Sequence, residues 1–316
     1  MSESYYHHTW KPIGRDGHLD SKALSWPLRA RKVKPGERVL VQGDLFGSGL
    51  SNEEIAAVFG VMAATEQYTF LVLTEKPERA AEWYRWVETV AWPALHTEYQ
   101  NSLGWPIDAN AVYQFVDGHQ EMNCPICGEY CRIHGDGDSP LWPLPNVHLG
   151  TIGNDQATAD ARIPHLLRCP AERRFVNYQP SGAVDFDGPV FYGPGWLRGW
   201  HGEARGSSGS EPEPEQVQND SLDWLIISGA IGKNAAPTDL ANVRGAVAQC
   251  RAAGVTVFVE RLGARAFSVA DRISFRGNTA KLPDGFYRYL ADRHGSDPFE
   301  WPEDLRDARE FPAAVR

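Results

Sequence analysis

The stretch RVLVQGDL (38–45) is a nearly continuous run of Val and Leu broken by Gly, and SNEEIAAVFGVMAAT (51–65) follows after a short loop. An apolar run of this length without alternation reads as a strand buried on both faces. The second segment carries helix signals. Ser51 stands at an N-cap position and Glu54 three residues later, the pattern of a reciprocal capping box.

The same alternation recurs along the chain. Further strand-like runs are TFLVLTEK (69–76), NVHLGTIG (146–153), RFVNYQP (174–180), DWLIISG (223–229) and VTVFVERL (255–262). PERAAEWYRWVETV (77–90) opens on Pro, which suits the first helical turn. TDLANVRGAVAQCRAAG (238–254) places Asp239 in a first turn and Gly254 where a left-handed C-cap is needed. Six β-α units in series imply an α/β fold with a parallel sheet, either a partial barrel or a doubly wound sheet. The expected architecture is a parallel (β/α) partial barrel of about six units. It spans residues 1–316 as a single domain, with two insertions. Residues 92–142 form a small Cys-rich, zinc-knuckle-like insertion. Residues 199–220 (GWHGEARGSSGSEPEPEQVQND) are rich in Gly, Ser, Pro and Glu and read as a flexible loop.

Composition narrows the function classes. The 316 residues are 42% hydrophobic and 23% charged, ordinary for a globular protein. No apolar run approaches the roughly 20 residues needed to span a bilayer. The opening MSESYYHHTW lacks the basic and apolar regions of a signal peptide, so a cytoplasmic location is expected. Five cysteines, three of them bunched, argue for a reducing compartment over a disulfide framework. A formal net charge of -10 with no long basic run argues against strong non-specific DNA binding and leaves room for a local basic groove.

In parallel α/β folds chemistry sits at the C-terminal ends of the strands. Those ends carry Gln42 and Asp44; Thr74, Glu75 and Lys76; Asn154 and Asp155; Tyr178 and Gln179; Ser228; and Glu260 and Arg261. Asp44, Lys76 and Glu260 form the candidate acid–base set, weighed against buried ion pairs and solvated loop positions. SGAIGKNAAP (228–237) offers backbone N–H groups to an anion but matches no phosphate-loop fingerprint. His7 and His8 are read as part of a solvated tail, weighed against metal binding. WYRW (83–86), Cys169 and Cys250 are read as packing residues.

Several longer motifs carry a resemblance. PLPNVHLGTIGNDQATADARIPHLL (143–167), LTEKPER (73–79), LDWLIISGAIG (222–232), AGVTVFVERLG (253–263) and FEWPEDLRDAREFP (299–312), with TWKPI (9–13) before them, resemble a family of phage-encoded three-Cys-motif proteins. It is known as the phage gene-product 37/68 family, a domain of unknown function. The resemblance implies a radical-SAM-like, TIM-like barrel, a phage-infected or lysogenic bacterial host, and an iron–sulfur cluster with S-adenosylmethionine. The chain departs from it at the chemistry. Family members follow the TWNP-like start with three cysteines, whereas GRDGHLDSKALSWPLRARK (14–32) contains none. The family's EDQ becomes Asn154-Asp155-Gln156, its EP becomes Gln179-Pro180, and its GGESG becomes SGAIG with Ala230 in place of the acid. Its KQ pair becomes Glu260-Arg261. Asp44, within DLF, is a family-like acid that remains. A radical-SAM cluster needs three thiolates and one open iron, so the inherited iron–sulfur and S-adenosylmethionine chemistry is not expected at its usual place.

NCPICGEYCRIHGDGD (123–138) holds the other candidate metal site. Cys124 and Cys127 on a tight turn with Gly128, then Cys131 and His134, form a Cys₃His set of structural zinc type, with His119 in reserve. The insertion is poor in aliphatic residues, so zinc would supply folding energy its core lacks. The reversed spacing, C-x2-C-x3-C, and its place after the second β-α unit argue against a relocated iron–sulfur cluster. Three functions follow. The first is a cluster-less family member serving as a binding or partner subunit, with a small molecule or a nucleic-acid-metabolism protein as partner. The alternatives are an enzyme using Asp44, Lys76 and Glu260, and a radical enzyme with its cluster on Cys124, Cys127 and Cys131.

Overall fold

Each of the six apolar runs becomes a strand; the Ser51–Glu54 box and the Gly254 C-cap stand as expected, while Asp239 is the N-cap of its helix and not a first-turn residue. The computed structural model describes residues 4–30, 33–47, 49–87, 143–186, 195–197, 221–278 and 282–312. In chain order its elements are β1 (His8–Trp10), α1 (Ser21–Leu24), α2 (Trp26–Arg29), β2 (Arg38–Val41), α3 (Asn52–Ala63), β3 (Thr69–Thr74), α4 (Pro77–Trp86), β4 (Val147–Gly153), α5 (Gln156–Leu167) and β5 (Arg173–Tyr178). They continue with β6 (Trp224–Ser228), β7 (Thr238–Asp239), α6 (Leu240–Ala253), β8 (Thr256–Arg261), β9 (Ala266–Phe267), β10 (Ile273–Ser274), β11 (Arg288–Tyr289), a 3-10 turn at Pro298–Glu300 and α7 (Glu303–Arg306).

Seven strands form one sheet in the order β1-β2-β3-β4-β5-β6-β8. β1 with β2, β2 with β3, β5 with β6 and β6 with β8 all run parallel. Spatial order follows chain order, so the sheet is singly wound and lacks the strand-order reversal of a doubly wound fold. The parallel α/β class is as expected. β1 is an addition, because HTW is too short and too polar to stand out as an apolar run. The insertion at 92–142 and the loop at 199–220 lie outside the described residues, as do Cys124, Cys127, Cys131 and His134.

The chain divides into two compact units, Tyr6–Gly150 with Cys169–Arg173 and Val315–Arg316, and Met1–Tyr5 with Thr151–Arg168 and Arg174–Ala314. In the first unit, α3 begins with a complete capping box between Ser51 and Glu54 and buries residues around nearly its whole circumference. Trp83 of α4 is fully buried. Its ring lies 4.4 Å from that of Phe59 and 6.0 Å from that of Phe46, and its indole N–H donates to Asn52 O at 3.0 Å. Burying a ring of this size contributes about 2–3 kcal/mol. The packing reading of WYRW thus holds for Trp83 and Tyr84. In the second unit, α6 is capped by Asp239 and ends at Gly254, whose φ of 70° is the left-handed conformation Gly adopts without strain. Cys169, in the first unit, and Cys250, in the second, are both fully buried.

His7 and His8 correct the expectation of a solvated tail. His8 lies in β1 and its Nε2 is 2.9 Å from a Glu37 carboxylate oxygen, while His7 Nδ1 accepts from Arg38 N at 2.9 Å. The short edge strand β1 draws them in.

Candidate functional site

In the first unit the strand ends are tied together by backbone. Asp44, just after β2, accepts at Oδ1 from Phe46 N (3.1 Å) and Gly47 N (3.0 Å), and at Oδ2 from Glu75 N beyond β3 (2.8 Å). One half-buried carboxylate therefore fixes its own turn and clamps the neighbouring strand end. Thr74 Oγ1 accepts from Lys76 N at 2.9 Å and shapes the entry to α4. The Lys76 side chain is exposed and makes no hydrogen bond or ion pair among the described residues.

The described part of the β1–β2 connection, residues 11–30 and 33–37, is folded chain. Asp20 caps α1 by accepting from Lys22 N and Ala23 N, both at 2.9 Å. Trp10 donates its indole N–H to Ala23 O at 2.8 Å, and Tyr68 OH donates to Ala30 O at 3.1 Å. No thiol is present in residues 14–32. Of the described cysteines, Cys250 has its thiol pushed up to about 12, first by burial and then by Glu310. The Cys169 thiol lies 3.9 Å from Pro77 O. Iron ligation needs accessible thiolates, so the residues at this loop do not fit a radical-SAM cluster. Among the described residues no group of three or more His, Cys, Asp or Glu is placed to hold a metal ion.

His148 in β4 belongs to this unit. Burial pulls its pKa down to about 3, assisted by the charges of Arg173 and Arg38. Its Nδ1 has no hydrogen-bond partner among the described residues. A neutral imidazole beside two guanidinium groups is inert as a proton carrier near neutral pH.

In the second unit the strand ends are joined by side chains. Glu260 of β8 is only 7% exposed. Its carboxylate accepts from Ser4 Oγ at 2.9 Å, from Ser228 Oγ of β6 at 2.8 Å and from Arg261 Nη1 at 2.5 Å. Arg261 Nε donates to Gly229 O at 3.0 Å. Gly229 is required here, because an added Cβ would lie 2.2 Å from Leu262 O. The SGAIG turn spends two of its backbone groups on this contact: Gly229 N donates to Arg261 O and Ala230 O accepts from Ala264 N, each at 2.9 Å. The SGAIG N–H groups are thus only partly free to cradle an anion.

Next to Ser4, Tyr5 packs edge-on against Trp224 with ring centroids 6.3 Å apart, and Asn177 Nδ2 donates to its OH at 3.4 Å. The chain end closes the same strands from another side. Phe311 lies 4.6 Å from Phe258 and 6.1 Å from Trp224, and Arg309 stacks over Phe258 at 4.6 Å. Beside these rings, Asn177 Oδ1 and Trp224 Nε1 are among the buried polar atoms without partners in the described residues, on side chains 4% and 1% exposed. One is an acceptor and the other a donor. Each needs a water or a polar ligand atom to offset its burial. The sequence signal for Asn177 was a polar residue inside the apolar run RFVNYQP; Ser4, Tyr5 and Trp224 carried no signal beyond composition.

After β4, Asp155 closes a capping box with Thr158, whose backbone N–H and then hydroxyl hold the carboxyl below its usual range. Tyr178 OH donates to Gly182 O at 2.5 Å, and burial, with Asp155 nearby, pushes its ionisation up. Both side chains shape the loop they begin.

A family model described as "Protein of unknown function (DUF5131)" matches residues 2–286. No curated protein and no solved structure matches the chain.

Proposed function

The chain belongs to the DUF5131 family of proteins of unknown function, and from that premise we propose that it is a divergent, cluster-less member of the phage three-Cys-motif branch. In this reading it keeps a partial (β/α) barrel and acts as a binding or partner subunit, without radical chemistry of its own, in the cytoplasm of a phage-infected host. The observation that carries it is the β1–β2 connection: residues 14–32 have no cysteine, and the described residues 14–30 are held by bonds from Trp10, Asp20 and Tyr68. The strand-end acids support it. Asp44 is saturated by backbone donors and Glu260 by Ser4, Ser228 and Arg261. The singly wound strand order supports the barrel.

Zinc on Cys124, Cys127, Cys131 and His134 is the metal this reading assigns, in a structural role. A second reading, an enzyme with acid–base chemistry at the strand ends, is favoured by the exposed Lys76 ammonium after β3. Anaerobic purification followed by elemental analysis separates these from a radical enzyme. About one zinc per chain and no iron is expected. Several irons with the broad visible absorption of a cluster would overturn the proposal.

A further inference from the structure

One face of the second unit's sheet is met by Ser4 and Tyr5. In the register of β5 and β6, Phe175 lies opposite Trp224 and Asn177 opposite Ile226. Side chains two residues apart share a face, so Phe175, Asn177, Trp224 and Ile226 stand together. The Tyr5 ring meets Trp224 edge-on, and its OH is at Asn177. Ser4, the residue before it, donates to Glu260. Phe311 packs against Trp224 and Phe258 beside them.

Tyr5 fills this place incompletely. A phenol has a single oxygen and meets one half of an amide, here Asn177 Nδ2 at a long 3.4 Å. The other half, Asn177 Oδ1, is left unpaired, and so is the indole N–H of Trp224. The other three fully buried indoles, of Trp10, Trp83 and Trp301, each donate to a backbone carbonyl. Both unpaired groups are on side chains more than nine-tenths buried, where a missing partner costs free energy that packing does not return. They stand on one face, and both side chains touch Tyr5.

We propose that this face is the seat of a small planar ligand with a cyclic imide edge, of the uracil kind, which enters by displacing the Tyr5 ring. Asn177 offers an amide N–H and an amide oxygen, and Trp224 an indole N–H: two donors and one acceptor. An imide offers two carbonyls and one N–H, the complementary set, on a six-membered ring like that of the phenol it replaces. The ligand is uncharged, because the unpaired groups are neutral and Glu260 is already balanced by Arg261. This rests on the reading of the chain as a binding subunit and names a ligand class for it. That reading is decided by metal content, so the two fail separately.

The test is calorimetric titration of the full chain with uracil. Saturable binding at one site is expected. Tyr5→Ala should bind about tenfold more tightly, since the competing ring is gone. Tyr5→Phe, which keeps the ring and guards against misfolding, should gain by a smaller factor. 3-Methyluracil, which lacks the central N–H, should bind about a hundredfold more weakly. Asn177→Leu should abolish binding and melt at or above the parent, because it removes an unpaired buried oxygen. Uridine that binds as well as uracil assigns the seat to the nucleoside, and its exclusion assigns it to the free base. No binding of uracil by the parent would overturn the proposal, as would Tyr5→Ala taking toluene as readily as uracil, the mark of a plain cavity. An Asn177→Leu that melts well below the parent would assign the unpaired atoms to a buried water and also overturn it.

Discussion

Asp44 and Glu260 both follow apolar strand cores and look alike in sequence, yet the protein holds them in different ways. Asp44 is half-buried and satisfied by three backbone N–H groups. Glu260 is buried and satisfied by two hydroxyls and a guanidinium. The first clamps loops and can be partly replaced by water. The second balances a charge, so its loss leaves Arg261 uncompensated beside buried hydroxyls. A strand-end carboxylate is therefore weak evidence for catalysis until its partners are known.

The largest effect should come from the turn beneath Glu260. Gly229→Ala would drive a Cβ against Leu262 O, and a loss of about 3 kcal/mol or more is expected in urea unfolding. A loss below about 1 kcal/mol would show that the turn can relax and that the Arg261 anchor is loose. Next, Glu260→Ala should cost about 3 kcal/mol by breaking a buried pair, whereas Glu260→Gln, which keeps an acceptor for Ser228, should cost less. Equal costs for the two would mean that charge contributes little.

The first unit offers a pH test. His148 titrates at about 3 in the folded chain and near 6.5 when unfolded. Between those values the unfolded state carries the extra proton, so stability is full above about pH 6.5 and falls as pH drops below it. From pH 6.5 to 5 the expected loss from this group is about 1–2 kcal/mol. His148→Leu should flatten that part of the stability–pH curve, and an unchanged slope would refute the assignment. The smallest effect is at Asp44. Asp44→Asn keeps the two bonds at Oδ1 and gives up the one from Glu75 N, at about 1 kcal/mol. A cost as large as that of Glu260→Ala would erase the distinction between the two acids.

Much of the fold was legible because burial writes itself into composition. Six strands that are apolar on both faces, the Ser51–Glu54 box and the Gly254 cap all follow from local rules and stand where the sequence placed them. β1 was not legible, since an edge strand of three residues needs no apolar run. The strand order also lies beyond local pattern, and only pairing separates a singly wound sheet from a doubly wound one. Site residues were legible as positions and opaque as roles. Nothing local in VTVFVERL says that Ser4, more than 250 residues away, donates to Glu260. His7 and His8 were misjudged for the same reason, because their partners Glu37 and Arg38 come from the next strand.

The central claim, that this family member works without a radical-SAM cluster, is tested most directly by anaerobic reconstitution with iron and sulfide, followed by S-adenosylmethionine and a strong reductant. The account predicts no 5′-deoxyadenosine. Formation of 5′-deoxyadenosine that disappears when Cys124, Cys127 and Cys131 are replaced by Ala would contradict it and make the protein a radical enzyme with a displaced cluster.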